Sequence, residues 1–351
     1  MKTARNKTES IHPALRAALF ILPFALLFCS LFVGRYPISP GQTVSAIRYA
    51  LGVRGAAAPA GMLAPGLTRE VYTLVVNVRL PREIAAGAVG AALAASGTAF
   101  QGVFRNPLVN AGLLGVSSGA GFGAALAIVA GSASALVYPF AFGFGMLAVL
   151  LSYSIARVYK TTPTIMLILG GTIVSSVFSA LTSLMKYIAD PEQELPSIVY
   201  WLMGSVSSVG WEKLWGLIPI ALGCLILLLM TWRINVLSMG DKEARTLGID
   251  VRRDKTLVIA GASLATAGAV CMSGVIGWVG LVIPHIGRMI TGNDNRRLMP
   301  AAIAVGASFM IVIDVISRCI SVSEIPLGIL TSLIGAPFFV YLLKKTKGGG
   351  W

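Results

Sequence analysis

The chain is expected to fold as an all-α, polytopic integral membrane protein with about ten transmembrane helices. Three observations carry that expectation. Hydrophobic residues make up 56% of the 351 positions and charged residues 12%, with a mean hydropathy of +0.81, which is more apolar surface than a water-soluble core of this size can hide. The apolar residues gather into runs close to the roughly 20 residues that a helix needs to cross a ~30 Å hydrocarbon core. The 39 glycines sit in this helical context, where small side chains let backbones approach closely in a solvent that supplies no hydrophobic drive between helices.

The first run, 16–34, ends at Gly34-Arg35-Tyr36-Pro37 rather than at a small-residue cleavage site, so it reads as helix one and not as a signal peptide. The second, 83–104, follows Leu80-Pro81-Arg82 and is joined to the third, 111–130, by the polar hinge Arg105-Asn106-Pro107-Leu108. Further runs lie at 134–156, 164–188, 213–232 and 256–275. The run at 277–291 is short and contains Pro284, which predicts a kinked or partly re-entrant helix. The last two are 299–317 and 326–343. Between the fifth and sixth runs, Pro196 to Gly204 is apolar but too short to span.

With the N-terminus in the cytoplasm, Lys2, Arg5, Lys7, Arg16, the basic loops near 157–160, 233–255 and 288–297, and Lys344, Lys345 and Lys347 all fall inside. Most of the 28 Lys and Arg are then cytoplasmic, as positive-inside asymmetry requires, and both termini are expected there. The net charge of +14 is accounted for by cations beside anionic lipid, and no nucleic-acid partner is expected. The organisation expected is a cytoplasmic tail at 1–15, a single transmembrane domain at 16–344 with a cytoplasmic loop at 233–255, and a tail at 345–351. Cys29, Cys224, Cys271 and Cys319 are scattered without a metal-site spacing, and the two histidines are His12 and His285, so no metal site and no catalytic residues are expected. The P-loop pattern is absent, so any ATP hydrolysis belongs to another polypeptide and the chain is not expected to be an enzyme.

Three motif blocks carry a resemblance. The first is Leu80-Pro81-Arg82, Ser96-Gly97 with Gln101, Asn106-Pro107-Leu108, and Leu114 to Ala120. The second is Leu237, Gly240-Asp241, Ala244 and Leu247-Gly248 within the polar stretch Arg233 to Lys255, where Asp241 to Thr246 has helix-forming residues and Gly248 suits a helix end. The third is Gly274 to Arg297, GVIGWVGLVIPHIGRMITGNDNRR, in which Trp278 stands for a usual Phe and Asn295 for a usual His. Together they resemble, from about residue 15 to 345, the permease subunits of binding-protein-dependent ABC importers for iron-siderophores, haem and cobalamin.

The resemblance implies the ABC type II importer transmembrane fold, multi-pass in the cell's inner or plasma membrane. It also implies a second copy of the chain forming the path at a two-fold axis, two separate ABC ATPase subunits that use ATP and Mg, and an extracytoplasmic substrate-binding protein. No cofactor is implied for this chain itself. Gly240, Asp241, Ala244, Leu247 and Gly248 correspond to the family's coupling loop, with Ala244 expected to face the ATPase groove. Asn106, Leu108, Thr162, Pro163 and Thr164 correspond to its cytoplasmic gate, although Thr161 to Thr164 reads equally well as a proline-marked loop with a threonine helix cap. Pro196 to Gly204 resembles an interfacial helix beside the outer cavity, with Tyr200 and Trp201 near the interface. The fifth run, rich in Gly, Ser and Thr, suits either a weakly polar pore lining or helix packing. Arg79, Arg82 and Arg318 match positions that receive the binding protein, while Asp314, one turn before Arg318, offers an internal partner instead. The expected cargo is a ferric siderophore or another iron chelate, with haem, cobalamin or molybdate as alternatives. An ion-coupled carrier is the rival class, disfavoured because Asp314 is the one acidic residue well inside a run.

Overall fold

A computed structural model describes residues 13–52, 62–64, 66–131, 134–157 and 164–345. The chain enters through α1 (Pro13–Ser30), then α2 (Pro40–Ala50), an antiparallel pair β1 (Met62–Ala64) and β2 (Leu67–Thr68), and α3 (Arg69–Tyr72). A π-helical stretch, Thr73–Arg79, leads into α4 (Leu80–Phe104). A 3-10 turn at Ala111–Leu114 precedes α5 (Val116–Val129), followed by α6 (Ser134–Ala156), α7 (Thr164–Ile188) and the short α8 (Glu194–Met203). Another 3-10 turn, Trp211–Gly216, opens α9 (Leu217–Leu229). Then come α10 (Thr231–Met239), α11 (Asp241–Thr246), α12 (Val251–Ser273), α13 (Val279–Thr291), α14 (Asn295–Ile320) and α15 (Leu327–Lys345).

Six of the described helical segments are long and apolar enough to cross a membrane: Arg69–Phe104, Leu136–Ala156, Thr164–Ile188, Trp211–Leu229, Val251–Ser273 and Asn295–Ile320. Shorter apolar helices occupy Ala17–Ser30, Val116–Val129, Val279–Thr291 and Leu327–Tyr341. These segments coincide with the ten apolar runs of the sequence. The short run at 277–291 becomes α13, whose 13 residues with Pro284 inside reach only about 20 Å at 1.5 Å per residue.

The bundle is organised around α4, which is buried along most of its length and packs on α12, α13 and α14. Glycine makes those crossings possible. Gly90 meets the backbone of Gly306 in α14, and Gly97 meets the backbone of Gly280 in α13, so that neither site has room for a side chain. Small hydroxyls bond across or along the same contacts, as Ser96 Oγ does to the Ala262 carbonyl at 2.9 Å. Both features are what helix association in lipid requires, since close packing and satisfied polar groups replace the hydrophobic drive.

The segment from Ser39 to Thr68 has no counterpart among the sequence expectations, because its elements are too short and too polar to register as spans, and Arg69 to Val78 extend the second span upstream of its expected start. Its local signals are nonetheless clear. Ser39 Oγ accepts from the Gln42 amide while the Gln42 side chain accepts from the Ser39 amide, and Pro40 occupies the first helical position, which starts α2. Ile38, Ala46, Leu67, Val71, Val75 and Val76 form its own small core. Trp211 Nε1 donates to the Val76 carbonyl at 2.8 Å and fastens this cap to the bundle end that carries α8.

Candidate functional site

Helix α12 joins the two ends of the bundle that carry functional candidates. At its first turn lie α10 and α11; at its last, Ser273 accepts from the Ser205 amide at 2.7 Å just beyond α8. The helix is buried almost throughout.

At the first end, α11 is the short helix expected from the sequence, over the same residues. It ends because Leu247 leaves the helical track and Gly248 turns the chain with φ +77°, a conformation that is costly for a residue with a side chain. Ala244 corrects an expectation. It is fully buried against this chain's own Ile249, Leu237 and neighbouring apolar residues, so it is not available to a groove in a partner. The side chains left uncovered on α11 are Lys242, Glu243, Arg245 and Thr246, with Leu247 just after it and the exposed Met239 of α10 beside it. Asp241 is partly exposed and pairs with Lys255 at 2.7 Å.

The hinge Arg105-Asn106-Pro107-Leu108 lies beside α11, with the Arg105 guanidinium next to Gly240. Arg105 adopts φ 52°, and Asn106 Oδ1 accepts from the Leu108 amide at 2.9 Å, which closes a tight Asx turn with Leu108 exposed. Thr164 opens α7, whereas Thr162 and Pro163 lie outside the described residues. Asn295, the substituted position of the third motif, is buried and hydrogen-bonds Asn235 of α10 through both its amide and its side chain. Asp294 caps α14, and its hydrogen bond from Arg296 holds the carboxyl down to about 2.

At the opposite end the three arginines correct a second expectation. Arg79, Arg82 and Arg318 are only 5%, 6% and 6% exposed. Arg79 donates to the carbonyls of Leu31 and Tyr36, both at 2.7 Å. Arg82 forks onto Asp314 through Nε and Nη2 at 2.9 to 3.0 Å and donates Nη1 to Glu324 at 3.0 Å. Arg318 pairs with Glu83 and with the Ser30 carbonyl, and its Nε lies 3.9 Å from Asp314. In this conformation the donors are turned inward to a buried network joining α1, α4, α14 and the loop before α15, and they do not form a surface for docking acidic partner residues.

Near α8 a cavity of about 250 Å³ is lined by Ile128, Tyr138, Tyr200, Trp201, Lys213 and Met272, among others, with Lys213 over the Tyr138 ring. Along α7, Thr172, Ser176, Ser179 and Ser183 are exposed and recur at helical spacing, so one uncovered face carries a hydroxyl stripe. Thr172, Ser176 and Ser183 donate to carbonyls four residues earlier and therefore present oxygen lone pairs, not free donors or charges. Among the described residues no group of three His, Cys, Asp or Glu side chains is placed to hold a metal ion.

The model of the FecCD transport family matches residues 21–345. The chain is 42% identical to the molybdate import system permease MolB of Haemophilus influenzae, over 97% of this chain and 98% of that one. It is 40% identical to an iron chelatin transport system permease of Helicobacter pylori, over 78% of this chain and 83% of that one. It is 39% identical to the cobalamin import system permease BtuC of Halobacterium salinarum, over 80% and 76%. A solved structure of a metal-chelate type ABC transporter in an inward-facing conformation superposes with a TM-score of 0.82 at 40% identity, covering 95% of this chain and all of that one.

Proposed function

The chain belongs to the FecCD transport family of ABC importer permeases, and we propose that it carries a metal-containing solute into the cell along a path formed where two copies meet. Permeases of this family are not enzymes themselves and work with ATPase and binding-protein components; membership also decides against an ion-coupled carrier. The observation that supports a path on this chain is the uncovered face of α7. A face meant only for lipid needs no stripe of Thr172, Ser176, Ser179 and Ser183, whereas a solute that must pass without being held is served by uncharged hydroxyls, three of which, Thr172, Ser176 and Ser183, already donate within the helix.

In this reading the α11 end is cytoplasmic, as the basic residues Arg105, Lys242, Arg245, Arg252 and Arg253 around it favour. Met239 and Leu247, with Lys242 and Arg245, form the surface that meets the ATPase, and Gly240, Asp241, Ala244 and Gly248 shape it from behind. The hinge at Asn106 and Leu108 beside α11, with the start of α7 at Thr164, is the cytoplasmic gate. The binding protein meets the α8 end through the cap and exposed loops, because the arginines there are committed internally.

The relatives divide between molybdate, iron chelate and cobalamin, so a ferric chelate stands as one cargo within the metal-containing class and molybdate as another. The test is reconstitution in proteoliposomes with the cognate ATPase and binding protein, followed by uptake of molybdate, a ferric siderophore, haem and cobalamin in parallel. One of them should accumulate only with ATP and the binding protein present. The permease alone should hydrolyse no ATP. Uptake driven by an ion gradient without the ATPase, or no uptake of any of the four, would overturn the reading.

A further inference from the structure

The N-terminal end of α12 places two ionisable side chains, Asp254 and Lys255, side by side in the protein interior, 0% and 1% exposed. Burial of such groups is costly unless each is paired. Each has one partner, and the partners sit on different helices. Arg233 of α10 donates to both oxygens of Asp254 at 2.7 Å. Lys255 reaches Asp241, the first residue of α11, at 2.7 Å. The apolar residues between them, Leu237, Ala244, Ile249 and Val251, are buried in one cluster. Helices α10 and α11 are thereby clasped to α12 by two ion pairs over a shared core.

Most of α11's other side chains face outward, so without Lys255 the helix would be held by Ala244 and the turn at Gly248 alone. A six-residue helix has little stability of its own. Displacement of α11 by a partner would then be absorbed by local movement. With the strap in place, displacement pulls directly on α12, which runs without interruption to Ser273 and Gly274 against α8 and the outer cavity.

We propose that Lys255, through Asp241, is a positioning residue for transport: it transmits movement of α11 to α12 and hence to the opposite end of the path. The inference rests on the reading of α11 as the ATPase-docking element. It assigns Lys255 a role that neither its place at the head of an apolar helix nor the spacing of the Gly240-Asp241 motif suggests.

The two ends of the pair are not equivalent, and this selects the variant. Asp241→Asn leaves a buried ammonium without a partner, so it endangers folding. Lys255→Met fills the same space with an apolar chain and leaves Asp241, whose side chain is 41% exposed, free to hydrate. The complex carrying Lys255→Met is reconstituted with the ATPase and binding protein, and ATP hydrolysis and solute uptake are measured on the same vesicles. Complex recovery and hydrolysis should stay within about twofold while uptake per ATP falls about tenfold, within the usual range of coupling between sites. Lys255→Arg, which keeps the charge and reach, should restore most of the uptake. A fall of hydrolysis and uptake in parallel, or no change in either, would overturn the proposal. Leu247→Arg, on the exposed face of α11, separates the two levels. If that change leaves recovery of the ATPase complex intact, the docking reading itself fails; if it blocks recovery while Lys255→Met transports normally, only the strap fails.

Discussion

Replacing Gly97 with leucine is expected to leave almost no folded permease in the membrane, and Gly90→Leu the same. The reason is contact between backbones. A methyl group built on Gly97 would fall on the carbonyl oxygen of Gly280, and one on Gly90 would fall on the carbonyl of Gly306. Neither obstacle is the movable end of a side chain. To accept even alanine, α4 must withdraw from α13 or α14 along crossings that hold the centre of the bundle, so the usual overpacking cost of about 1–3 kcal/mol is a lower bound here. Gly143 supplies the internal comparison. It lies within α6 with no atom in the way of a Cβ, so Gly143→Ala should be neutral or stabilise by roughly 0.5–1 kcal/mol through helix propensity. Size-exclusion profiles and thermal midpoints in detergent measure all three variants. Wild-type profiles and midpoints for Gly97→Leu would show that the crossing is not as tight as drawn.

The ten apolar helical segments, six of them long enough to cross a membrane, were readable because a long apolar run is a coarse signal that needs no knowledge of what it packs on. Helix α11 was readable for a local reason as well, since Gly240 and Gly248 punctuate a helix-forming stretch between them. Which side of that helix is covered was not. Ala244 is as compatible with a partner's groove as with its own chain's core, and only the packing of Ile249 and Leu237 decides it. The same limit explains the arginines. Arg82 is separated from Asp314 by 232 positions and from Glu324 by 242, so nothing near it in sequence announces that its donors are already occupied. Asp314 was visible as an oddity within an apolar run, and its nearest cation in sequence, Arg318, lies 3.9 Å away, farther than the fork from Arg82. The cap between Ser39 and Thr68 escaped for a different reason: it carries a helix cap and a small core shared with Val71, Val75 and Val76, and a search for spans passes over both.

The buried network makes a prediction that separates a structural from a docking role for Arg82. Asp314→Leu is expected to cost about 3–5 kcal/mol, enough to deplete the folded protein, because it leaves the Arg82 guanidinium buried with only the partly exposed Glu324 to balance it. Arg82→Met should cost less. Asp314→Leu removes the one carboxylate that lies within reach of both Arg82 and Arg318, whereas Arg82→Met removes one of the two cations beside it. Asp314 also keeps Arg318 within 3.9 Å. The double change Arg82→Met with Asp314→Leu removes both charges together and fills the space with apolar atoms, so it should recover much of what Asp314→Leu alone loses. A docking role gives the opposite pattern. Charge reversal at Arg82 would then slow association with the binding protein, more so at low salt, and leave thermal stability untouched. Thermal midpoints of these three variants and of the charge reversal at Arg82, set beside their association rates with the binding protein, decide between the two. Unchanged midpoints with slowed association would return Arg82 to the surface, and a midpoint lost in Asp314→Leu and regained in the double variant keeps it inside.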